Sequence, residues 1–315
     1  MPPERKLLDR RRMCGLLGAG AIGVLRPAAS LAGNAPRKQP WALHYVLASS
    51  LYGRMRLEEI LPEVRKTGTK YLDLWPERHA NQREQMEALG HERFAALLDK
   101  HGVRLGMTTR YDLGPFGLGD EMKIVRKLGG SLVVTGSHGP KNPSGPECRQ
   151  AVREFVEKMK PHAAAAEKLG VTIGIENHAN ALIHTPDSLR YLAELAGSPR
   201  LGIALAPYHL PQEPELIARL IADLGPTLVH FYGWQYGRGC MEKLPKAEEL
   251  EQMPGRGKLD FRLILAALKK IDYRGWTEVF MHPVPRGIPI LDTAAEVTGG
   301  INRAREYLER TVQKL

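Results

Sequence analysis

Cysteine is scarce in this chain. Cys14, Cys148 and Cys240 are the only three in 315 residues, and no two share the short spacing of a thiolate metal site. A cysteine-built metal centre is thereby excluded, and Cys148 and Cys240 are left as one long-range disulfide or as two free buried thiols. Long apolar runs are also missing: none approaches the roughly 20 residues that a bilayer crossing needs. Basic runs are confined to the start. Of the formal charge of +10, the first 35 residues carry four, and the remainder is spread without clustering. That describes a weakly cationic surface and argues against a dedicated nucleic-acid protein. No glycine-rich phosphate loop follows an early strand, which weighs against an open nucleotide-binding sheet.

What is present begins with "DRRRMCGLLGAGAIGVL" and "RPAASLAGNA". Consecutive arginines before a short apolar stretch, then small residues, are the layout of an export signal, and Arg10, Arg11 and Arg12 resemble a twin-arginine signal. We therefore expect residues 1–35 to be an export signal, residues 36–315 to form the folded domain, and the mature protein to be periplasmic or envelope-located. A twin-arginine route carries folded protein, which suits a protein loaded with metal or cofactor before export.

From about residue 40 onward, short apolar runs alternate with longer amphipathic ones. The apolar runs are "WALHYVLAS", "KYLDLW", "VRLGMTT", "SLVVTGS", "VTIGIENH", "LGIALAPYHL", "TLVHFYGWQ" and "WTEVFMHP". Between them, apolar residues recur at i, i+3 and i+4, as in helices packed by one face. Strands apolar on both faces and separated by helices form parallel sheets covered on both sides. Eight such units in about 275 residues predict a single-domain α/β fold, a closed (β/α)₈ TIM barrel. The segment "YGRGCMEKLPKAEELEQMPGRGK" is a long insertion after the seventh strand, and long loops in compact domains are often functional.

Active sites of such barrels gather at the C-terminal ends of the strands. Those ends carry Trp75, Arg110, His138, Glu176, Asn177, His178, His209, Tyr232, Trp234, Gln235, Glu278 and His282. A carboxylate ending an apolar strand, as Glu176 does, needs a cation, an arginine such as Arg110, or a substrate hydroxyl beside it. Glu278 is either its acid/base partner or a structural group lower in the barrel. Trp75, Tyr232 and Trp234 could stack on a sugar ring or simply fill the core. His138, among glycines, could meet a ligand or be an ordinary loop residue.

At "GIENH", "APYHL" and "LVHFYGWQ" the chain resembles the xylose isomerase-like barrels, the sugar phosphate isomerase/epimerase family that also includes apurinic endonucleases. The resemblance implies a divalent cation held by glutamates on the fifth and eighth strands, an aspartate on the sixth and a histidine on the seventh. Glu176, Asn177 and His178 match outright, but Ala206, Tyr232 and Phe280 stand where the aspartate, histidine and second glutamate belong. His209 is kept. Two expectations follow. Either Glu176, His209, His230 and His282, with help from Glu278 or His138, rebuild a site for one transition metal, zinc or manganese, or the cation has been lost.

The resemblance implies catalysis by Glu176, Glu278 and His178, with Trp75, His138, Asn177, Tyr232 and Trp234 on the substrate. The activity expected is a sugar isomerase, epimerase or lyase acting on an unphosphorylated sugar or keto-sugar by removing a proton next to a carbonyl. The alternative is a carbohydrate-binding barrel without catalysis. DNA repair is disfavoured by the export signal and the missing multi-histidine cluster.

Overall fold

The computed structural model describes residues 40–315; the expected export signal lies outside these residues. Eight strands alternate with helices, β1 (His44–Ala48), β2 (Tyr71–Leu74), β3 (Arg104–Thr109), β4 (Leu132–Thr135), β5 (Thr172–Glu176), β6 (Leu201–Leu205), β7 (Leu228–Gly233) and β8 (Trp276–Val279). Each pairs in parallel with the next, and β8 returns to β1 through Trp276 opposite His44, closing the barrel. Val, Ile and Leu dominate the strands because one side chain in two meets the surrounding helices and the other fills the barrel.

The helices are α1 (Leu57–Val64), α2 (Gln82–Leu89), α3 (His91–Lys100), α4 (Gly119–Lys127), α5 (Gly145–Leu169), α6 (Pro186–Leu195), α7 (Pro214–Leu224), α8 (Lys246–Glu249), α9 (Phe261–Lys270) and α10 (Ala294–Val312). Their starts follow local chemistry. The Thr185 hydroxyl accepts from the Ser188 N–H to begin α6, and Thr293 and Glu296 form a reciprocal cap on α10. None of the described helices is long and apolar enough to cross a membrane. Cys148 and Cys240 are both buried free thiols, so the disulfide alternative does not hold.

Two features shape the C-terminal mouth of the barrel. Gly53, at φ 55°, lets the chain after β1 press against the loop after β8, where a Cβ would lie 2.3 Å from the Ile288 carbonyl carbon. The insertion after β7 folds over the same rim as short helical turns, including α8. Register shifts beside Asp73 on β2 and Ala204 on β6 mark where the strands bend toward this end.

Candidate active site

Alternation along the strands stacks inward-facing side chains in layers. The deepest polar layer holds Asp73, Thr109, His230 and Glu278, all buried. His230 Nε2 lies 3.0 Å from Glu278 Oε2, and the Thr109 hydroxyl donates to Asp73 Oδ2 at 2.8 Å. Burial pushes Asp73 up to about 7. It lifts Glu278 well above the carboxylate range, with the nearby charge of Asp73 adding to the effect. Burial lowers His230 to about 3. The His230–Glu278 hydrogen bond thus joins two groups in which burial favours the uncharged forms. Glu278 takes the deeper of the two placements open to it, below the residues that line the cavity.

Above that layer stand Ala206, Tyr232 and Phe280, each buried. Phe280 stacks on Trp75 with ring centroids 5.1 Å apart and packs edge-on against Trp234, also at 5.1 Å. Tyr232 tilts against Phe280 at 5.3 Å. Asn177 holds Ala206 from the side: its Oδ1 accepts from Ala206 N–H at 2.7 Å and its Nδ2 donates to Ala206 C=O at 3.1 Å.

The top layer opens into a cavity of about 670 Å³, a size usual for small-molecule sites. Glu176, the last residue of β5, contributes the one carboxylate among the described residues that line it. Burial raises Glu176 above the ordinary carboxylate value, while His178 and the hydroxyls of Tyr111 and Tyr232 pull the other way. His209 follows β6 in the short turn Pro207–His209, and its Nε2 lies 3.9 Å from Glu176 Oε1. The Ala179 N–H approaches His209 Nδ1 at 3.4 Å. That hydrogen bond leaves the ring proton on Nε2, which is buried and has no other partner among the described residues. Burial drives His209 down to about 2, so the ring is neutral. His178 donates through Nδ1 to the Ala179 carbonyl at 2.8 Å, and its ring centre is 4.2 Å from that of His209.

The opposite wall is aromatic and basic. Tyr208 stacks on Trp234 at 4.1 Å, His79 stacks on His282 at 4.6 Å, and Arg286 completes the rim. Burial lowers His79 to about 4 and His282 well below its usual value, with Arg286 adding to both shifts.

The structure therefore brings Trp75, Glu176, His178, His209, Trp234 and His282 to one cavity. Four sequence assignments need correction. Asn177 does not face a substrate, because both ends of its amide are spent on Ala206. His138 is exposed and packs against Phe116 at 5.6 Å, away from the cavity wall. Tyr232 lies in the layer below. Arg110 is not the partner of Glu176; it pairs with Glu121 and with Asp112 at 2.7 Å.

The proposed metal set of Glu176, His209, His230 and His282 is not assembled. His230 is occupied by Glu278 a layer deeper, and Trp234 packs against both His209 and His282, at 5.2 Å from each. Among the described residues no three His, Cys, Asp or Glu side chains stand together to hold a metal ion. The donors present do not fit the cation that the family resemblance implies. Asp73, His79, Tyr111, Tyr208 and Arg286 are the residues that strand-end reasoning missed.

A family model described as the xylose isomerase-like TIM barrel matches residues 61–304. The chain belongs to that family. Among solved structures, the IolI protein with a bound zinc atom superposes with a TM-score of 0.66 at 16% identity, covering 86% of this chain and 99% of that one. A xylose isomerase domain protein from Alicyclobacillus acidocaldarius gives 0.62 at 18% identity, with the same coverage of 86% and 99%. D-psicose 3-epimerase, solved in the presence of D-fructose, gives 0.63 at 17% identity, again covering 86% and 99%. At these identities the likeness establishes the fold, which is that of sugar isomerases and epimerases. No curated protein matches the sequence.

Proposed function

We propose that this xylose isomerase-like barrel is a sugar isomerase/epimerase-like enzyme, exported by the twin-arginine route, that moves a proton next to a carbonyl on an unphosphorylated sugar or keto-sugar. The observation that carries this reading is the pairing of Glu176 with His209 across 3.9 Å at the cavity wall. Glu176 is the base. A carboxylate raised by burial accepts a carbon-bound proton more readily than an ordinary one near neutral pH. His209 presents a fixed Nε2–H to the adjacent carbonyl oxygen, where negative charge develops as the proton leaves. His178, whose Nδ1 is bound to the Ala179 carbonyl, offers its Nε2 and can exchange a proton with a hydroxyl. Trp234 and Tyr208 supply the apolar face on which a sugar ring packs. No step is routed through a metal, because the donors do not converge on one.

The test is solvent-deuterium incorporation into keto-sugars, followed by NMR in D₂O. Wild-type protein exchanges a proton next to the carbonyl. Glu176→Gln slows exchange by at least about a hundredfold while sugar binding measured by calorimetry persists. Undiminished exchange in that variant refutes the assignment. The aromatic packing of Tyr232 and Phe280, at the positions where the family resemblance expects cation ligands, favours a second reading, a carbohydrate-binding barrel without turnover. Binding by the wild-type protein with no exchange on any bound sugar selects that reading.

A further inference from the structure

The loop after β8 has the sequence "HPVPRGIPI". Arg286 gives it a chemical role. Its Nη1 donates to the Pro283 carbonyl at 2.7 Å, and its Nη2 to the Cys240 carbonyl at 3.0 Å and to Cys240 Sγ at 3.2 Å. The guanidinium is thus fixed between the β7 and β8 loops by neutral acceptors. No aspartate or glutamate among the described residues pairs with it, whereas Arg54, Arg83, Arg110 and Arg190 all have carboxylate partners. Arg286 is half-buried and lines the same cavity as Glu176. A half-buried cation without a counter-ion, held still and facing a cavity, is a site for an anion.

We infer that Arg286 anchors a carboxylate of the ligand, so that the compound taken up is a sugar acid, of the uronic, aldonic or keto-acid type, and not a neutral sugar. This inference rests on the functional reading above for the carbonyl end of the ligand. The Nε–H and one Nη1–H have no protein partner among the described residues and remain free to donate. A carboxylate fits better than a phosphate. Phosphate sites add backbone N–H groups or a helix N-terminus to their side-chain cations, but Pro283, Pro285 and Pro289 remove three amide donors from this loop. A ligand held at both ends would place its carboxylate on Arg286 at the rim and its reactive carbonyl at Glu176 and His209.

The experiment compares hexuronates with neutral hexoses of the same ring configuration by titration calorimetry, with hexose phosphates as a third arm. Wild-type protein binds a hexuronate at least about tenfold more tightly than its neutral counterpart, the usual gain from a charge-assisted pair. The preference shrinks as salt is added, a readout that needs no variant. It disappears in Arg286→Gln, survives in part in Arg286→Lys, and is retained or strengthened in Glu176→Gln, which removes a like charge from the same cavity. That last result separates anchoring from catalysis, since loss of proton exchange in Glu176→Gln says nothing about the preference. Equal affinity for acid and neutral sugar, tighter binding of the phosphate, failure to take up any carboxylate, or a preference that persists in Arg286→Gln overturns the assignment.

Discussion

Replacing Asn177 with alanine removes two hydrogen bonds to one backbone position and leaves nothing in their place. The Ala206 N–H and C=O, paired with Asn177 at 2.7 and 3.1 Å, lie in a region without solvent access. The N–H would become a buried donor without a partner, at about 1–3 kcal/mol, while the carbonyl keeps the His209 N–H at 3.2 Å and loses only its second hydrogen bond, at about 0.5–1.5 kcal/mol. The side-chain freedom regained is worth less than about 1 kcal/mol, so Asn177→Ala should lose about 1–3 kcal/mol. Urea denaturation measures this as a lower midpoint with an unchanged slope. Ala206 opens the turn Pro207–His209, so sugar binding should weaken along with stability. Asn177→Asp keeps the acceptor for the N–H but sets a carboxylate against the Ala206 carbonyl. It should be at least as damaging at neutral pH, and part of the loss should be recovered in acid, where the protonated carboxyl can donate. A loss below about 0.5 kcal/mol in Asn177→Ala would refute the reasoning, since it would mean that water or another group replaces the amide at no cost.

Two more perturbations test other parts of the structure. His209 and His230 have folded values near 2 and 3, below the ordinary imidazole value, so both stay neutral in the folded protein while the unfolded chain protonates them. Their contribution is therefore present above about pH 6.5 and is lost as pH falls, at about 1.4 kcal/mol per unit for each group. Asp73 and Glu278, raised by burial, act with the opposite sign over the same window, so the test compares wild type with His209→Gln. The stability difference between the two should shift against the wild type by about 1 kcal/mol between pH 6 and 5, and a difference independent of pH would count against a buried neutral imidazole at position 209. Exhaustive treatment with a strong chelator should leave the melting temperature within about 1 °C, because among the described residues no set of donors converges on an ion. A fall of several degrees would show that a cation is held after all.

The barrel was readable because its pattern repeats eight times, and each strand carries the doubly apolar signature that burial on two faces demands. Glu176 and His209 were readable for a related reason: a charged or imidazole side chain ending an apolar run stands out. Asp73 was overlooked because it sits inside "KYLDLW", one residue before the strand ends, although its alternation with Tyr71 and Trp75 turns it inward. His79, Tyr208 and Arg286 belong to loops, and no periodicity fixes the path of a loop. Asn177 shows a different limit. Its sequence position suits a ligand contact and a backbone clamp equally well, and only the location of Ala206, 29 residues further on, decides between them. The metal set failed because strand alternation specifies the face of a residue but not its depth, and His230 lies a layer too low.

Ala179 contributes no reactive side chain, yet its backbone fixes the direction of proton traffic in the cavity. The amide hydrogen is directed at one imidazole and the amide oxygen is taken by the other, so the two rings must adopt opposite tautomers. One ring then presents an N–H toward the cavity and its neighbour a ring nitrogen that can accept. Proline at this position would remove the hydrogen that orients His209 while leaving the acceptor for His178. The protein would then keep every side chain of the cavity but lose the polarity built into it.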